Sequence, residues 1–492
     1  MKKSKKLLSM VLVATMAANL MVGCQKTDKQ DGKKNNTNAT STEASDNSTT
    51  DTVKEDEPKA EPVSVTLGIW PEDTLTEDIK VYEGYVEALK ATNPNVTYKP
   101  AYYKYAADTF MPMVQSGNTP TIFETWFTEP QKLIKAGAVA DITDELQARG
   151  WLDKMNPAIK DILSDENGRV YGVPRDGYAL GMMLNVELFE EAGLVDADGY
   201  PIYPKTWAEL AETAKTIKDK TGSAGLCLLA KDGAGGWHFS NIAWAFGATL
   251  SIANDDGTYK ANLNSPEAIK AMEYVKSLKW DYDVLTADPT NEDWGTGFTQ
   301  IGTGNAAMYI GANDAVAQPT QVNGLPVDKL AMCPIPAGDG GQFSLYGGTP
   351  YMFSKDATSE EINAALDFLE VMGRAPEVND NVIAGLKADA QNRVNNGVPV
   401  IQPFPSWTNQ DYIDAQLAVV KEFQNVDPKM FQSYFDATSS EGLRVEEPGL
   451  TQEMYGELTN VLQAVLTDKN ADVKALMDTA NKNYQSMLDA AQ

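Results

Sequence analysis

The sequence predicts an α/β fold divided into two lobes. Three observations support this. The chain has 492 residues, more than one ordinary hydrophobic core organises. Hydrophobic residues make up 42% and charged residues 22%, the balance of a folded chain. From Val63 onward, strand-like alternation and helical period take turns, the rhythm of a sheet with crossing helices.

The elements follow in order. Val63 to Trp70 alternates like a strand and ends in an aromatic residue, and Thr76 to Ala91 has a helical period. Val96 to Tyr103 reads as a second strand, Ala106 to Gln115 as a second helix stopped at Gly117, and Thr121 to Phe127 as a third strand. This βαβαβ order calls for a largely parallel sheet. Later helices are marked by caps. Thr206 with Glu209 and Thr358 with Glu361 have capping-box spacing, and Ser265-Pro266 places proline in a first turn. Ser240 is read as opening another helix. Ile362, Leu366, Leu369 and Met372 share one helical face. So do Met454, Leu458, Val461 and Val465, and then Val473, Met477, Ala480, Tyr484 and Met487. These last two helices should pack on the body.

The first 24 residues read as an export address. Lys2, Lys3, Lys5 and Lys6 precede an apolar stretch, Leu7 to Leu20, too short to span a bilayer comfortably. Met21-Val22-Gly23-Cys24 resembles the bacterial lipobox, with methionine where leucine is usual. That resemblance implies a lipoprotein whose mature chain starts at acylated Cys24. A diacylglycerol on Cys24 supplies two palmitate-type acyl chains, which would anchor it stably at about 0.8 kcal/mol per buried methylene. Residues 25–62 are polar and charged, with no aromatic residue, and read as a disordered tether between membrane and folded body.

Composition excludes several functions. The net charge is −28, which repels nucleic acid and anionic lipid. His238 is the single histidine, which leaves little room for zinc or Ser/His and Cys/His chemistry. It is read as a hydrogen-bonding neighbour of Trp237. Cys227 and Cys333 lie in separate apolar strand patterns, which argues against a disulfide. No cofactor and no metal is expected. Asp196-Ala197-Asp198-Gly199 and Asp255-Asp256-Gly257 lack the ligands of a calcium loop and read as turns.

A set of landmarks carries a resemblance. Gly172-Val173-Pro174 follows the turn Glu166-Asn167-Gly168, and Met183 to Leu194 comes next. Pro204 to Leu210, Gly304 to Ile310, Pro334 to Gly338 and Gly347-Gly348 complete the order. Together they resemble the family 1 extracellular solute-binding proteins, relatives of maltose-binding protein, from Val63 to the C-terminus. The resemblance implies a periplasmic-binding-protein-like fold, α/β and two-lobed, with a ligand cleft between the lobes. Lobe one would be 63–174 plus 311–350, and lobe two 178–310 plus 351–492. It implies a binder that is no enzyme, a carbohydrate ligand, ABC transporter permease subunits as partners and a location on the extracytoplasmic face of the cell membrane. A monomer is expected.

A sugar offers hydroxyls and flat C–H faces, so its site needs aromatic platforms with amides or carboxylates. Trp70 and Trp126 end strands at the edge where α/β sheets bind ligands, and Trp237 follows two glycines. For each the alternative is a core or rim aromatic, as it is for Trp244, Trp294 and Trp407. Trp151, Trp207 and Trp280 read as packing residues. The polar candidates are Glu124, Asp176, Tyr178, Asn313, Asp314 and Tyr351, with a helix cap the alternative for Asp314. Of six arginines only Arg175 falls near the cleft, which favours a neutral ligand over a phosphate or sulfate. Tyr102 and Tyr103 read as strand aromatics. Two rival readings stay open: the same fold binding a polyamine, peptide or metal, and a secreted glycoside hydrolase using Glu124 and Asp176.

The anchor is directly testable. Replacing Cys24 with serine should move the protein from the membrane fraction into the medium. A variant that stays in the membrane fraction would rule out the acyl anchor.

Overall fold

A computed structural model describes residues 61–492, apart from 255, 405, 439–441 and 492 and the side chains of Ala158 and Asp176. The predicted signal sequence, Cys24 and nearly all of the tether lie outside the described residues.

The first lobe starts as predicted. Strand β1 (Val63–Leu67) lies parallel to both β2 (Val96–Pro100) and β3 (Ile122–Glu124), with helices Thr76–Leu89 and Ala107–Gln115 as the crossovers. β2 stops at Pro100, which has no N–H to offer a ladder, and β3 is shorter than the alternation suggested. Strand β4 (Gly172–Asn185) is the longest strand among the described residues, at 14 residues. In chain order β5 (Ala224–Cys227), β6 (Ser251–Ala253), β7 (Tyr259–Ala261), β8 (Ala306–Ala312), β9 (Leu330–Cys333), β10 (Ser344–Phe353) and β11 (Leu443–Val445) follow. The main sheet runs β2-β1-β3-β10-β4-β8-β5, with β9 on β4 and β11 on β10. Its central pairings, β3–β10, β10–β4 and β4–β8, are antiparallel, so the sheet is mixed.

β4 joins the lobes. Residues 172–179 pair with β10, and Leu180 to Asn185 pair with β8 and β9. The register slips where they meet: Thr349 opposes Asp176, but Pro350 opposes Pro174. Arg175 is therefore the extra residue of a bulge, a feature that re-aims a side chain and bends a strand. Prolines on both strands of this pairing withhold two N–H groups from the ladder.

Two large cores flank this crossing. The first holds Val65, Leu67, Tyr85, Trp151, Val173, Tyr351 and Phe353, with Ile362 to Val382, Trp407 and Tyr412. The second holds Leu180, Met182, Leu184, Leu226, Trp244, Ile310, Ala312, Ala331, Cys333, Ile335, Leu345, Met454, Leu458 and Leu488. The boundaries therefore differ from those the sequence predicts. Residues expected in lobe one between 311 and 350 pack largely with lobe two, while helices Ser359–Val371, Asp380–Asn395 and Gln410–Phe423 lie on the lobe-one side of 351–492. Apolar faces settle lobe membership, and chain order at the crossings does not reveal them.

The C-terminal helices pack as their stripes require. Met454, Leu458, Val461 and Val465 are buried, as are Val473, Met477, Ala480 and Tyr484. The second stripe then ends on Leu488, and Met487 is 37% exposed. Thr358 and Glu361 form the full reciprocal box. Thr206 forms half of one, because Glu209 bonds the Lys205 N–H at 2.7 Å. Cys227 and Cys333 are free, buried thiols whose acidity burial suppresses.

One helix starts earlier than predicted. It runs Asp232–Ala245, and Ser240 sits buried inside it, donating to the Gly236 carbonyl at 3.0 Å. The two glycines before Trp237 serve close packing. A Cβ on Gly236 would meet the Tyr455 carbonyl oxygen at 2.3 Å. Gly236→Ala should therefore force helix Asp232–Ala245 away from helix Thr451–Thr467 and cost about 1–3 kcal/mol. A thermal melt checks this. An unchanged or raised Tm, as helix propensity alone would give, would contradict it.

Candidate functional site

The bulge places Arg175 among carboxylates. Its Nη1 lies 3.1 Å from Glu124 Oε2 at the end of β3, and its Nη2 lies 3.4 Å from Asp314 Oδ2. Asp314 sits in a short turn after β8, Asn313–Ala315, where the chain returns between lobes. It caps no helix; it pairs with Arg175. Three separate segments thus converge on one guanidinium.

Asn313 has a different task. Its Oδ1 accepts from the Ala179 N–H at 3.3 Å and from Tyr434 Oη at 3.0 Å. Tyr434 Oη also lies 2.6 Å from the Ala179 carbonyl. Asn313 is 5% exposed and Tyr434 fully buried, so this cluster fixes the crossing from within.

Aromatic residues gather on the second-lobe side. Tyr178, on β4, meets Trp237 edge to face at 6.3 Å. A side chain on Gly347 would collide with the Tyr178 hydroxyl at 2.4 Å, and one on Gly177 with Tyr346 Oη at 2.5 Å. Glycine at each place makes room for a tyrosine from the neighbouring strand. Behind Trp237 the rings continue through His238 at 5.0 Å, Tyr309 at 5.4 Å, Phe298 at 4.9 Å and Trp294 at 4.6 Å. Lys104, from the first lobe, lies 5.9 Å from the Trp294 ring.

The other tryptophans divide by exposure. Trp126 is 39% exposed, its ring edge-on to Tyr105. Trp70 is 8% exposed and packs against Tyr82 in the first core, and Tyr351 is 1% exposed in the same core. Trp244 and Trp407 are buried, the former bonded to Glu447 and the latter to the Arg374 carbonyl. The structure thus brings together Glu124, Asp314 and Arg175, and separately Tyr178 and Trp237. It places Trp70 and Tyr351 in core surroundings. The side chain of Asp176 lies outside the described residues, although its backbone is paired in β4. Among the described residues no cluster of metal-ligating side chains occurs.

The comparisons bear on this arrangement. The model of the bacterial extracellular solute-binding proteins matches residues 72–378. The chain belongs to that family. A binding protein of Brucella abortus is 30% identical over 235 residues, 46% of this chain and 52% of that protein. The chain thus spans about half the length of the curated relatives it matches first. The lactose-binding protein of Rhizobium radiobacter is 24% identical over 329 residues, 62% of this chain and 69% of that one. A solute-binding protein of Thermotoga lettingae bound to α-D-tagatose superposes with a TM-score of 0.66, at 17% identity, over 87% of this chain and all of that one. One from Mycobacterium tuberculosis, in complex with glycerophosphocholine, superposes at 0.65 with 15% identity, over 88% and 99%. These neighbours share the two-lobed fold, and the family consists of binding proteins. Among the described residues no helix is long and apolar enough to cross a membrane.

In this solute-binding protein, residues with no distinctive sequence signal complete the seam between the lobes. Gln452 donates to Thr128 Oγ1 at 3.1 Å, and Lys132 lies 3.8 Å from Glu453. Glu129 is 2% exposed and accepts from Tyr105 Oη at 2.7 Å. Glu446 accepts from Tyr455 Oη at 2.9 Å. Glu129 stands before Pro130 like any helix opening, and Tyr455 falls beside an apolar stripe.

His238 bonds to none of its neighbours. It is fully buried, and neither ring nitrogen has a hydrogen-bond partner among the described residues. Burial lowers its pKa from 6.5 to about 3. Below pH 6.5 the unfolded chain takes a proton that the folded chain refuses, so stability falls with pH through that window. By pH 5 the loss from this one group is about 2 kcal/mol. Denaturant titration of His238→Phe should show that much less loss between pH 7 and pH 5 than the parent. Equal losses would contradict the assignment.

Proposed function

We propose that this chain captures a carbohydrate between its lobes and delivers it to an ABC importer, held at the outer face of the membrane by acyl groups on Cys24. The observation that carries the ligand class is the crossing on β4. Arg175 and Tyr178, three residues apart, belong to a carboxylate group and an aromatic pair. Carboxylates accept hydroxyl hydrogen bonds, each charge-assisted bond contributing roughly 1.5–3 kcal/mol. Aromatic faces cover C–H surfaces, adding about 0.5–1.5 kcal/mol beyond area. Together they are the chemistry a sugar ring requires.

The charge pattern supports a neutral ligand. Arg175 is engaged by two carboxylates, so an anionic group would have to displace one of them. Relatives named for lactose and diacetylchitobiose are consistent with a neutral sugar, and exposed Trp126 and Trp294 offer faces for further rings of an oligosaccharide. The glycerophosphocholine complex shows the fold also serving a non-sugar solute. The arginine's engagement weighs against a phosphate-bearing ligand here.

A thermal-shift screen over glycans identifies the ligand, since binding to the folded state alone raises Tm. With that glycan, Trp237→Ala should weaken binding at least about tenfold, roughly 1.4 kcal/mol, in calorimetric titration. The melting temperature of the free variant should fall little, because Trp237 is partly exposed at the edge of the second core. Near-parental affinity with a large loss of Tm would make Trp237 a packing residue. Stoichiometric retention of the glycan is expected. Turnover would establish the hydrolase reading instead.

A further inference from the structure

A cavity of about 640 Å³ lies beside β5, the end strand of the main sheet. The segment after helix Pro266–Trp280 runs along that strand, and the Val284 carbonyl accepts from the Gly225 and Leu226 N–H groups at 2.9 and 3.2 Å. That segment forms one wall. Thr296 and Gln300 of helix Trp294–Gly302 belong to another. The cavity shares no residue with the Arg175 group or with Tyr178 and Trp237.

Two buried polar side chains line it. Glu292 is 5% exposed; its Oε1 accepts from Gln300 Nε2 at 2.9 Å, and its carboxylate has no cationic partner among the described residues. Thr286 is also 5% exposed, and its buried hydroxyl has no hydrogen-bond partner among the described residues. A buried charge is costly unless it is paired, and a neutral amide is a weak counterweight. The nearby cations are engaged elsewhere. Lys218 bonds the Asp283 carbonyl and lies 2.9 Å from its carboxylate, Lys279 donates to the Ala287 carbonyl at 3.3 Å, and Lys231 pairs with Asp293 at 2.8 Å. Asp288 accepts from Thr290 and Asn291 at 2.6 and 2.5 Å. Glu292 is the carboxylate left for a ligand.

We propose that this cavity is a second binding site, one that takes a short aliphatic amine. The ammonium group supplies the cation that Glu292 lacks and a donor that the Thr286 hydroxyl can accept. Asn291 and Gln300 point to the same chemistry. Each spends its amide N–H on a carboxylate of the protein, so what it has to offer a ligand is a carbonyl oxygen. An acceptor-rich lining with one unmatched carboxylate selects a charged donor. No aromatic residue lines the cavity, so a sugar ring finds no platform there. Among the described residues no cluster of metal-ligating side chains occurs, which favours an organic cation. The net charge of −28 draws cations to the chain. The amine site stands apart from the carbohydrate reading of the cleft.

Calorimetric titration of the full chain with putrescine tests this, beside the uncharged diol of the same carbon chain. Putrescine should bind saturably, one molecule per chain, and the diol at least about tenfold more weakly. Glu292→Gln should weaken putrescine at least about tenfold. Thr286→Val, close in shape, should weaken it about threefold while Tm stays level or rises, because the substitution removes an unpaired buried hydroxyl. Should Glu292→Gln not fold, Thr286→Val decides. Trp237→Ala should bind putrescine as the parent does. No saturable binding to the parent, equal affinity for the diol, or parental affinity in the folded Glu292→Gln and Thr286→Val variants overturns the site. Multiple weak binding events that Glu292→Gln leaves intact are diffuse attraction to an acidic surface and overturn it as well. Loss of binding in Trp237→Ala with full binding in Glu292→Gln moves the amine to the cleft and overturns the second site.

Discussion

One strand runs through both halves of the main sheet, and the molecule is organised around the point where it crosses. β4 leaves β10 at Ala179 and joins β8 at Leu180. At that step Tyr434 holds the Ala179 carbonyl while Asn313 holds its N–H. Ala179 is fully buried, and a buried backbone group left unpaired would cost about 1–3 kcal/mol. Asn313 and Tyr434 therefore satisfy the backbone where the ladder changes partners. The asparagine comes from the return crossing after β8 and the tyrosine from helix Lys429–Ala437. A side chain on Gly181 would strike the Tyr434 ring at 2.5 Å, so the helix packs closely over the strand. The two lobes are joined through a small, fully bonded cluster.

The candidate site grows from the same crossing. The Arg175 bulge directs a guanidinium towards Glu124 and Asp314, which come from the two other segments that meet there. Three residues on, Tyr178 reaches Trp237 of the second lobe. The proposed ligand groups thus share a strand with the groups that join the lobes. On that proposal, binding and hinge geometry are coupled through short distances, and no remote pathway is needed.

Much of the scaffold was legible because it obeys local rules. The βαβαβ opening, the Thr358 box and the stripe from Met454 to Val465 follow from period and capping. Lobe membership was less legible, because helices 359–423 pack on the first lobe through tertiary contacts that no local pattern encodes. The sequence places a helix start at Ser240, yet the helix already begins at Asp232, with Gly236 inside it pressed against the Tyr455 backbone. At the site, Arg175, Glu124 and Asp314 could be chosen by position near the crossings. Asn313 and Tyr351 share that position, yet the first serves the backbone and the second lies in the core. The Gln452–Thr128 and Lys132–Glu453 contacts carry no local signal because they depend on how two distant segments approach across the seam.

The central claim is that a ligand held between the lobes draws them together. The Gln452–Thr128 and Lys132–Glu453 contacts span the two lobes. Small-angle scattering of the folded body, with and without saturating amounts of the glycan chosen by thermal shift, measures the claim directly. The account predicts a smaller radius of gyration with ligand. An unchanged radius across the same titration, with binding confirmed by calorimetry, would contradict it.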